Sequence, residues 1–278
     1  GLSGFRVDAV PFLLETDGAA DPTELADPHD FLRDLRAFIQ RRNGEAVLLG
    51  EVNLPYVQAA EFFGEAGDEL TMCFDFVGMQ AMYLSLARHD ASPLAHALRD
   101  RPTPPQDGQW ATFVRNHDEL TLDKLTRSER QEVFDAFGPD ESMQIFDRGL
   151  RRRLPPMLDG DVERIKMVYS LLYSLPGTPV LFYGEEIGMG ENLDVSGRLA
   201  VRTPMQWAPG PTAGFTNADP RSMVAPAPDG EYGPDRVNVA QQIHDPDSLM
   251  AWIERLNRRF RVCPTLGMGD VTVHDLPE

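Results

Sequence analysis

The sequence predicts an α/β fold of parallel strands and crossover helices, wound as a (β/α)8 barrel rather than as a doubly wound sheet. Three observations carry that prediction. Short apolar segments alternate with amphipathic stretches along the chain, and strand–helix–strand order makes parallel strands with right-handed crossovers. No Gly-x-Gly-x-x-Gly and no phosphate-binding loop follows any apolar segment, which counts against a nucleotide-binding sheet. Several segments end in charged side chains, namely Asp8, Glu51, and Arg115 with His117 and Asp118. A barrel places its chemistry on the C-terminal ends of different strands.

Five strands are expected, over residues 4–10, 46–51, 70–76, 110–115 and 178–183, from apolar content, β-branching and length. A helix over 30–41 carries Phe31, Leu32, Leu35 and Phe38 on one face. Another over 78–87 carries Met79, Met82, Tyr83 and Leu86. The Pro-rich stretch 101–108 reads as a surface connector, and the mostly polar stretch 127–156 holds a helix near 129–137. Ile165, Val168, Tyr169 and Leu172 mark a helix over 162–175, and a last amphipathic helix covers 248–260. Each apolar stripe reads most simply as a face packed on a sheet. Residues 184–242 form the longest irregular segment, rich in Gly, Pro, Asn and Asp. A loop of that length in a compact domain is usually functional or mobile.

A length of 278 residues allows one large domain or two ordinary ones. Apolar residues at 42% and charged residues at 25% are those of an average soluble protein with a sizeable core. The 44 acidic against 26 basic side chains leave a net charge of −18, which argues against nucleic-acid and anionic-membrane partners. Cys73 and Cys263 stand far apart, outside any CxxC or zinc-type spacing. They read as two reduced thiols of a cytoplasmic protein. No apolar run is long enough to span a bilayer, and no leader pattern opens the chain. Gly1-Leu2-Ser3-Gly4 enters a strand at once with no initiator Met, as expected of a piece of something longer.

The carboxylates at the strand ends suggest chemistry. Alternation puts Arg6 and Asp8 on one side of a strand, about 6–7 Å apart. A neighbouring cation keeps a carboxylate ionised, as a nucleophile requires. A buried Arg–Asp pair bracing the interior would read the same way. Glu51 ends an apolar strand, where desolvation favours the protonated acid; alone, it reads as a capping or solvated Glu. Arg115, Asn116, His117, Asp118 and Glu119 cluster after a strand, as an ordinary polar loop also could. Together, three strand ends offer an ionised Asp, a tunable Glu and a second Asp beside a His. Two carboxyls flanking a bond are what glycoside chemistry needs, about 5–5.5 Å apart when configuration is retained.

In order, Gly4-Phe5-Arg6-Val7-Asp8-Ala9-Val10, Leu48-Leu49-Gly50-Glu51-Val52-Asn53 and Val114-Arg115-Asn116-His117-Asp118-Glu119 resemble signature stretches of the α-amylase clan of retaining α-glucoside enzymes (glycoside hydrolase family 13-like). Gly177-Thr178-Pro179-Val180-Leu181-Phe182-Tyr183-Gly184-Glu185-Glu186-Ile187-Gly188 is similar to the clan's last barrel strands and their turn. Arg115-Asn116-His117-Asp118-Glu119-Leu120-Thr121-Leu122 and Arg151-Arg152-Arg153-Leu154 resemble the trehalose synthase branch. Val201-Arg202-Thr203-Pro204-Met205-Gln206-Trp207 is shared with oligosaccharide α-glucosidases as well.

The resemblance covers nearly the whole chain. It implies that residues 1–264 supply about strands 4 to 8 of a (β/α)8 barrel with their helices, and that 265–278 open a C-terminal β domain. It implies Asp8 as nucleophile, Glu51 as acid/base and Asp118 as transition-state stabiliser. Arg6 would hold Asp8, and His117 would bind hydroxyls of the reacting glucose. Arg202 would serve the acceptor side, or else form a loop salt bridge. Glu119 and Glu185 are expected as structural neighbours, and Trp207 and Phe215 as core aromatics or else apolar walls of the site. The clan's first three strands, its roofing subdomain and an early Asp-x-x-x-Asn-His signature find no counterpart in these residues. No cofactor is therefore expected in this chain, although family members can bind calcium through those segments. The implied partners are maltose, trehalose and glucose, with a homo-oligomer or pairing to an N-terminal half as further expectations. The implied activity is maltose–trehalose interconversion, inactive in this chain alone. Hydrolysis by an α-glucosidase and a non-catalytic or assembly-dependent fragment are its rivals.

Overall fold

The computed structural model describes residues 2–13, 27–269 and 271–274. Five strands form one parallel sheet: β1 (Gly4–Val7), β2 (Val47–Gly50), β3 (Met72–Phe74), β4 (Gln109–Phe113) and β8 (Thr178–Val180). Their order in space is their order in sequence. Gly4 lies opposite Val47, Leu49 opposite Met72, Met72 opposite Gln109, and Ala111 opposite Thr178. A doubly wound sheet reverses at a switch point. Here each strand adds on the same side, which is barrel winding.

The five expected strands are all present, and each ends earlier than expected, β1 and β8 by three residues. After Val7 the chain turns through Ala9, whose φ of 44° is left-handed. After Val180 it runs into Gly184, with φ 84°. The charged side chains therefore follow the strands, on the turns that leave them. β1 and β8 are the edge strands of this sheet among the described residues.

The helices are α1 (Pro28–Gln40), α2 (Tyr56–Glu61), α3 (Phe76–Arg88), α4 (Ser92–Asp100), α5 (Arg127–Phe137), α6 (Leu154–Met157), α7 (Val162–Ser174), α8 (Val239–Gln242), α9 (Leu249–Val262) and α10 (Thr265–Met268). Side-chain caps start the long ones: Asp27 for α1, Asp75 for α3, Asp161 for α7 and Ser248 for α9. Thr126 and Glu129 form a capping box at α5. The short α2 and α4 were not legible in the pattern.

Two apolar cores flank the sheet. One joins β3 and β4 to α3, α5 and α7, with Phe74, Phe76 and Phe113 meeting edge to face at 5.1–5.2 Å around Phe113. The other packs Leu32 and Ile39 of α1 with Leu48, Phe63, Leu70 and Trp110. Each such buried side chain contributes about 1.5–3 kcal/mol. The stripe expected on α1 is only half used, for Phe31 and Phe38 stay 42% and 49% exposed. Among the described residues, β1 pairs only with β2.

A second, antiparallel sheet was not foreseen. It consists of β5 (Leu120–Thr121), β6 (Gln144–Ile145) and β7 (Gly149–Leu150), in the order β5-β7-β6. Two-residue strands carry no readable period. Residues 184–242 hold only 3-10 turns and α8. Within 265–278, the first four residues form α10, while 270 and 275–278, like Gly1, lie outside the described residues. Among the described residues no helix is long and apolar enough to cross a membrane, and Cys73 and Cys263 are free thiols.

Candidate active site

The register of β1 on β2 brings the first two carboxyls together. Val7 lies opposite Gly50, so Asp8 and Glu51 leave adjacent parallel strands side by side. The pairing continues one step further. Glu51 N donates to Val7 O at 3.0 Å, and Val10 N donates to Glu51 O at 3.1 Å. Arg6 Nη2 sits 2.9 Å from Asp8 Oδ1 and also donates to Glu51 Oε2. The Asp8 side chain is 74% exposed and that of Glu51 16%.

This geometry separates the two protonation states. Burial, followed by the hydrogen bond to Asp8, pushes the Glu51 carboxyl up to about 7. The hydrogen bond from Glu51 and the cation of Arg6 hold Asp8 below the usual carboxylate range. The pair holds its proton on Glu51 and its charge on Asp8. One guanidinium nitrogen, Arg6 Nη2, bridges the two carboxyls, and retaining enzymes hold such a pair about 5–5.5 Å apart.

Asp118 arrives from the end of β4. Its backbone N donates to Asn116 Oδ1 at 3.0 Å. Arg115, only 1% exposed, clamps the turn by donating to the carbonyls of Asn116 at 2.6 Å and Asp118 at 3.0 Å. Burial, with repulsion from Arg153, brings this guanidinium down to about 10. The Asp118 carboxylate meets Arg202 Nη2 directly, Arg198 Nη1 at 3.5 Å and His117 Nε2 at 3.7 Å. Burial also disfavours the charged form of His117. Asp118 adds to the upward push on Glu51, while Glu51 in turn acts on Arg198. The three expected carboxyls thus converge on one locus with Arg6, His117 and Arg202.

Of the two expectations for Arg202, the structure shows the ion pair. Arg202 pairs with Asp118, donates through Nε to His117 O at 2.6 Å, and borders a cavity of about 680 Å³. Trp207 and Phe215 line that cavity and are 51% and 57% exposed, so they are walls and not core aromatics. The segment that carries them lies over the surface, where a loop's aromatic residues have no second layer to enter. Glu119 is buried between Arg148 at 3.1 Å and Arg198 at 2.6 Å. Glu185 is buried too; it accepts from Phe182 N at 2.7 Å, and burial lifts its carboxyl to about 7.

Two groups were not found by sequence reasoning. Arg198 pairs with residues far away in the chain, and only its position four residues before Arg202 could have hinted at it. Asp123 gathers Asn53 at 3.1 Å, Gln80 at 3.1 Å, Thr121 at 3.2 Å and Lys124 at 2.9 Å, tying the turn after Glu51 to the turn after Asp118. No local pattern announces such a hub. Among the described residues no group of three or more His, Cys, Asp or Glu side chains is placed to hold a metal ion.

The family model Alpha-amylase (alpha amylase, catalytic domain) matches residues 151–264. A trehalose synthase of Pimelobacter sp. (strain R48) is 38% identical over 99% of this chain and 49% of its own. A trehalose synthase/amylase TreS of Mycolicibacterium smegmatis is 40% identical over 92% of this chain and 44% of its own. The chain thus spans about half the length of the curated relatives it matches. The crystal structure of an α-amylase from H. orenii superposes with a TM-score of 0.64 at 20% identity, over 97% of this chain and 46% of that one, and shows the same fold. The chain is therefore similar to the trehalose synthases over about half of their length, and it shares the (β/α)8-barrel fold of α-amylase-family proteins.

Proposed function

We propose that the protein is a retaining α-glucosyl-transferring enzyme that interconverts maltose and trehalose. The observation that carries this reading is the opposed titration of adjacent carboxyls, with Asp8 ionised and Glu51 holding a proton up to about pH 7. Environments that drive two carboxyls apart assign the nucleophile and the acid.

Asp8 attacks the anomeric carbon of the non-reducing glucose of maltose. Glu51 gives its proton to the departing glycosidic oxygen, so the C–O bond breaks and glucose is freed. A β-glucosyl ester forms on Asp8. Asp118 faces the positive charge that develops at the anomeric centre, and His117 binds hydroxyls of that sugar. Glu51, now a base, takes the proton from the anomeric hydroxyl of the retained glucose, which attacks the ester and leaves as trehalose. Two inversions give net retention. Arg202, between Asp118 and the cavity, stands on the acceptor side.

Hydrolysis is the second reading, and one observation favours it. Asp8 is 74% exposed, and a wet ester is open to water. Isomerisation needs water held out and glucose held in. The 278-residue chain alone is expected to be inactive on maltose. Its site must be held to about 0.5 Å, and a misplacement of about 1 Å can cost 10²-fold. The open edge of β1 is where a complementary half-barrel, or a second copy, would pair. The two free thiols suit a cytoplasmic setting. The test incubates the full protein with maltose and quantifies trehalose and glucose. Trehalose from the parent and none from Asp8→Asn supports the reading; glucose alone favours the hydrolase. Wild-type turnover by Asp8→Asn would remove Asp8 as nucleophile.

A further inference from the structure

The turn between β6 and β7 carries Phe146 at φ 57° and Asp147 at φ 52°. Such turns are ordinarily made by Asn, Asp or Gly. A bulky side chain with left-handed backbone is an outlier, and strain of this kind persists where the surroundings enforce it, often at functional sites. The surroundings enforce it here. Arg130 Nη1 donates to Asp147 O at 2.9 Å, and Leu122 N donates to Arg148 O at 2.7 Å, which ties the turn to the strand that follows Asp118.

The ring held this way is not packed away, for Phe146 is 57% exposed. Guanidiniums flank it, with Arg198 5.4 Å and Arg148 5.9 Å from the ring centre. Both arginines are anchored on Glu119, at 2.6 Å and 3.1 Å, and Arg198 reaches Asp118 at 3.5 Å. The phenyl face thus stands one guanidinium away from the carboxylate that faces the reacting glucose in the function proposed above. A half-exposed aromatic ring beside N–H donors matches the chemistry of a pyranose, whose C–H face stacks on a ring while its hydroxyls accept hydrogen bonds at the rim.

We infer that Phe146 is a stacking platform for the sugar on the acceptor side of the site, with Arg148 and Arg198 binding that sugar's hydroxyls. The inference rests on the proposed function for the role of the bound sugar, and on Phe146 alone for its place. Phe146→Gly removes the ring and relieves the left-handed strain, so it should melt no lower than the parent. Two readouts apply to the full protein. Maltose binding is measured by titration calorimetry. The partition of glucosyl from p-nitrophenyl α-glucoside between added glucose and water is measured by product analysis. Phe146→Gly should weaken maltose binding about tenfold and lower the transfer-to-hydrolysis ratio by a similar factor, and Phe146→Tyr should restore most of both. A Phe146→Gly protein with parental maltose affinity and parental partition overturns the inference, as does a parent that binds no maltose. A parent whose maltose affinity depends on Phe146 but which transfers no glucosyl group overturns the proposed function and leaves the platform standing.

Discussion

Replacing Asp8 with Asn should flatten the pH dependence of folding stability. Glu51 titrates near 7 in the fold against an ordinary 4.5, through burial first and Asp8 second. A carboxyl whose folded pKa is raised holds its proton more tightly in the native state. Its contribution is fully present below about pH 4.5 and is lost as pH rises through about 7. At about 1.4 kcal/mol per pKa unit, Glu51 alone should cost the fold about 2–3 kcal/mol between pH 5 and pH 8. Asn at position 8 removes both the carboxylate and its charge, and its amide can donate to an ionised Glu51. Burial remains, so Glu51 moves down without returning to its ordinary value. Asp8 itself titrates below the usual carboxylate range, so its own contribution is constant from pH 5 upward and cancels when each protein is compared with itself. The expected loss between pH 5 and pH 8 is smaller in Asp8→Asn by about 1 kcal/mol, equivalent to roughly 2–4 °C in a protein of this size. Urea unfolding of both proteins at both pH values measures it. Equal losses in the two proteins would refute the shared proton.

The rate of α-glucoside turnover should follow a bell. Its alkaline limb lies near pH 7, where Glu51 loses its proton, and its acid limb lies below the ordinary Asp range. Arg6 lowers both titrations, so Arg6→Met should carry both limbs to higher pH; kcat/KM profiles with limbs unmoved would show that the cation does not set them. Glu185→Gln should stabilise the fold at pH 8 by up to about 3 kcal/mol, because the buried Glu185 titrates near 7 and must there be held as a carboxylate. Denaturation at pH 8 that finds no gain would mean that Arg115 and Arg153 already neutralise that cost.

The parallel strands, the long helices and the ends carrying Asp8, Glu51 and Asp118 were legible because each is written locally. A run such as Val47-Leu48-Leu49 is apolar whatever it packs against, and a helical stripe shows its period without a partner. The small sheet holding Phe146 was not legible, since β5, β6 and β7 are too short to carry a period. Nor was the sorting of charge. Arg115 and Arg198 read alike in the sequence. One is a buried clamp on backbone carbonyls, the other a half-exposed partner of Asp118 and Glu119. Patterns at spacings of two and three to four residues encode which face is buried. They do not encode which distant segment covers it, because that depends on how the crossovers stack. By itself the sequence determined the alternation of strand and helix and the set of carboxyls at the strand ends. Only the tertiary structure decided that Val7 lies opposite Gly50, which sets Asp8 beside Glu51 under one guanidinium and leaves the proton on Glu51. The reason is that a pKa depends on burial and on neighbours in space, and neither exists until the chain has folded.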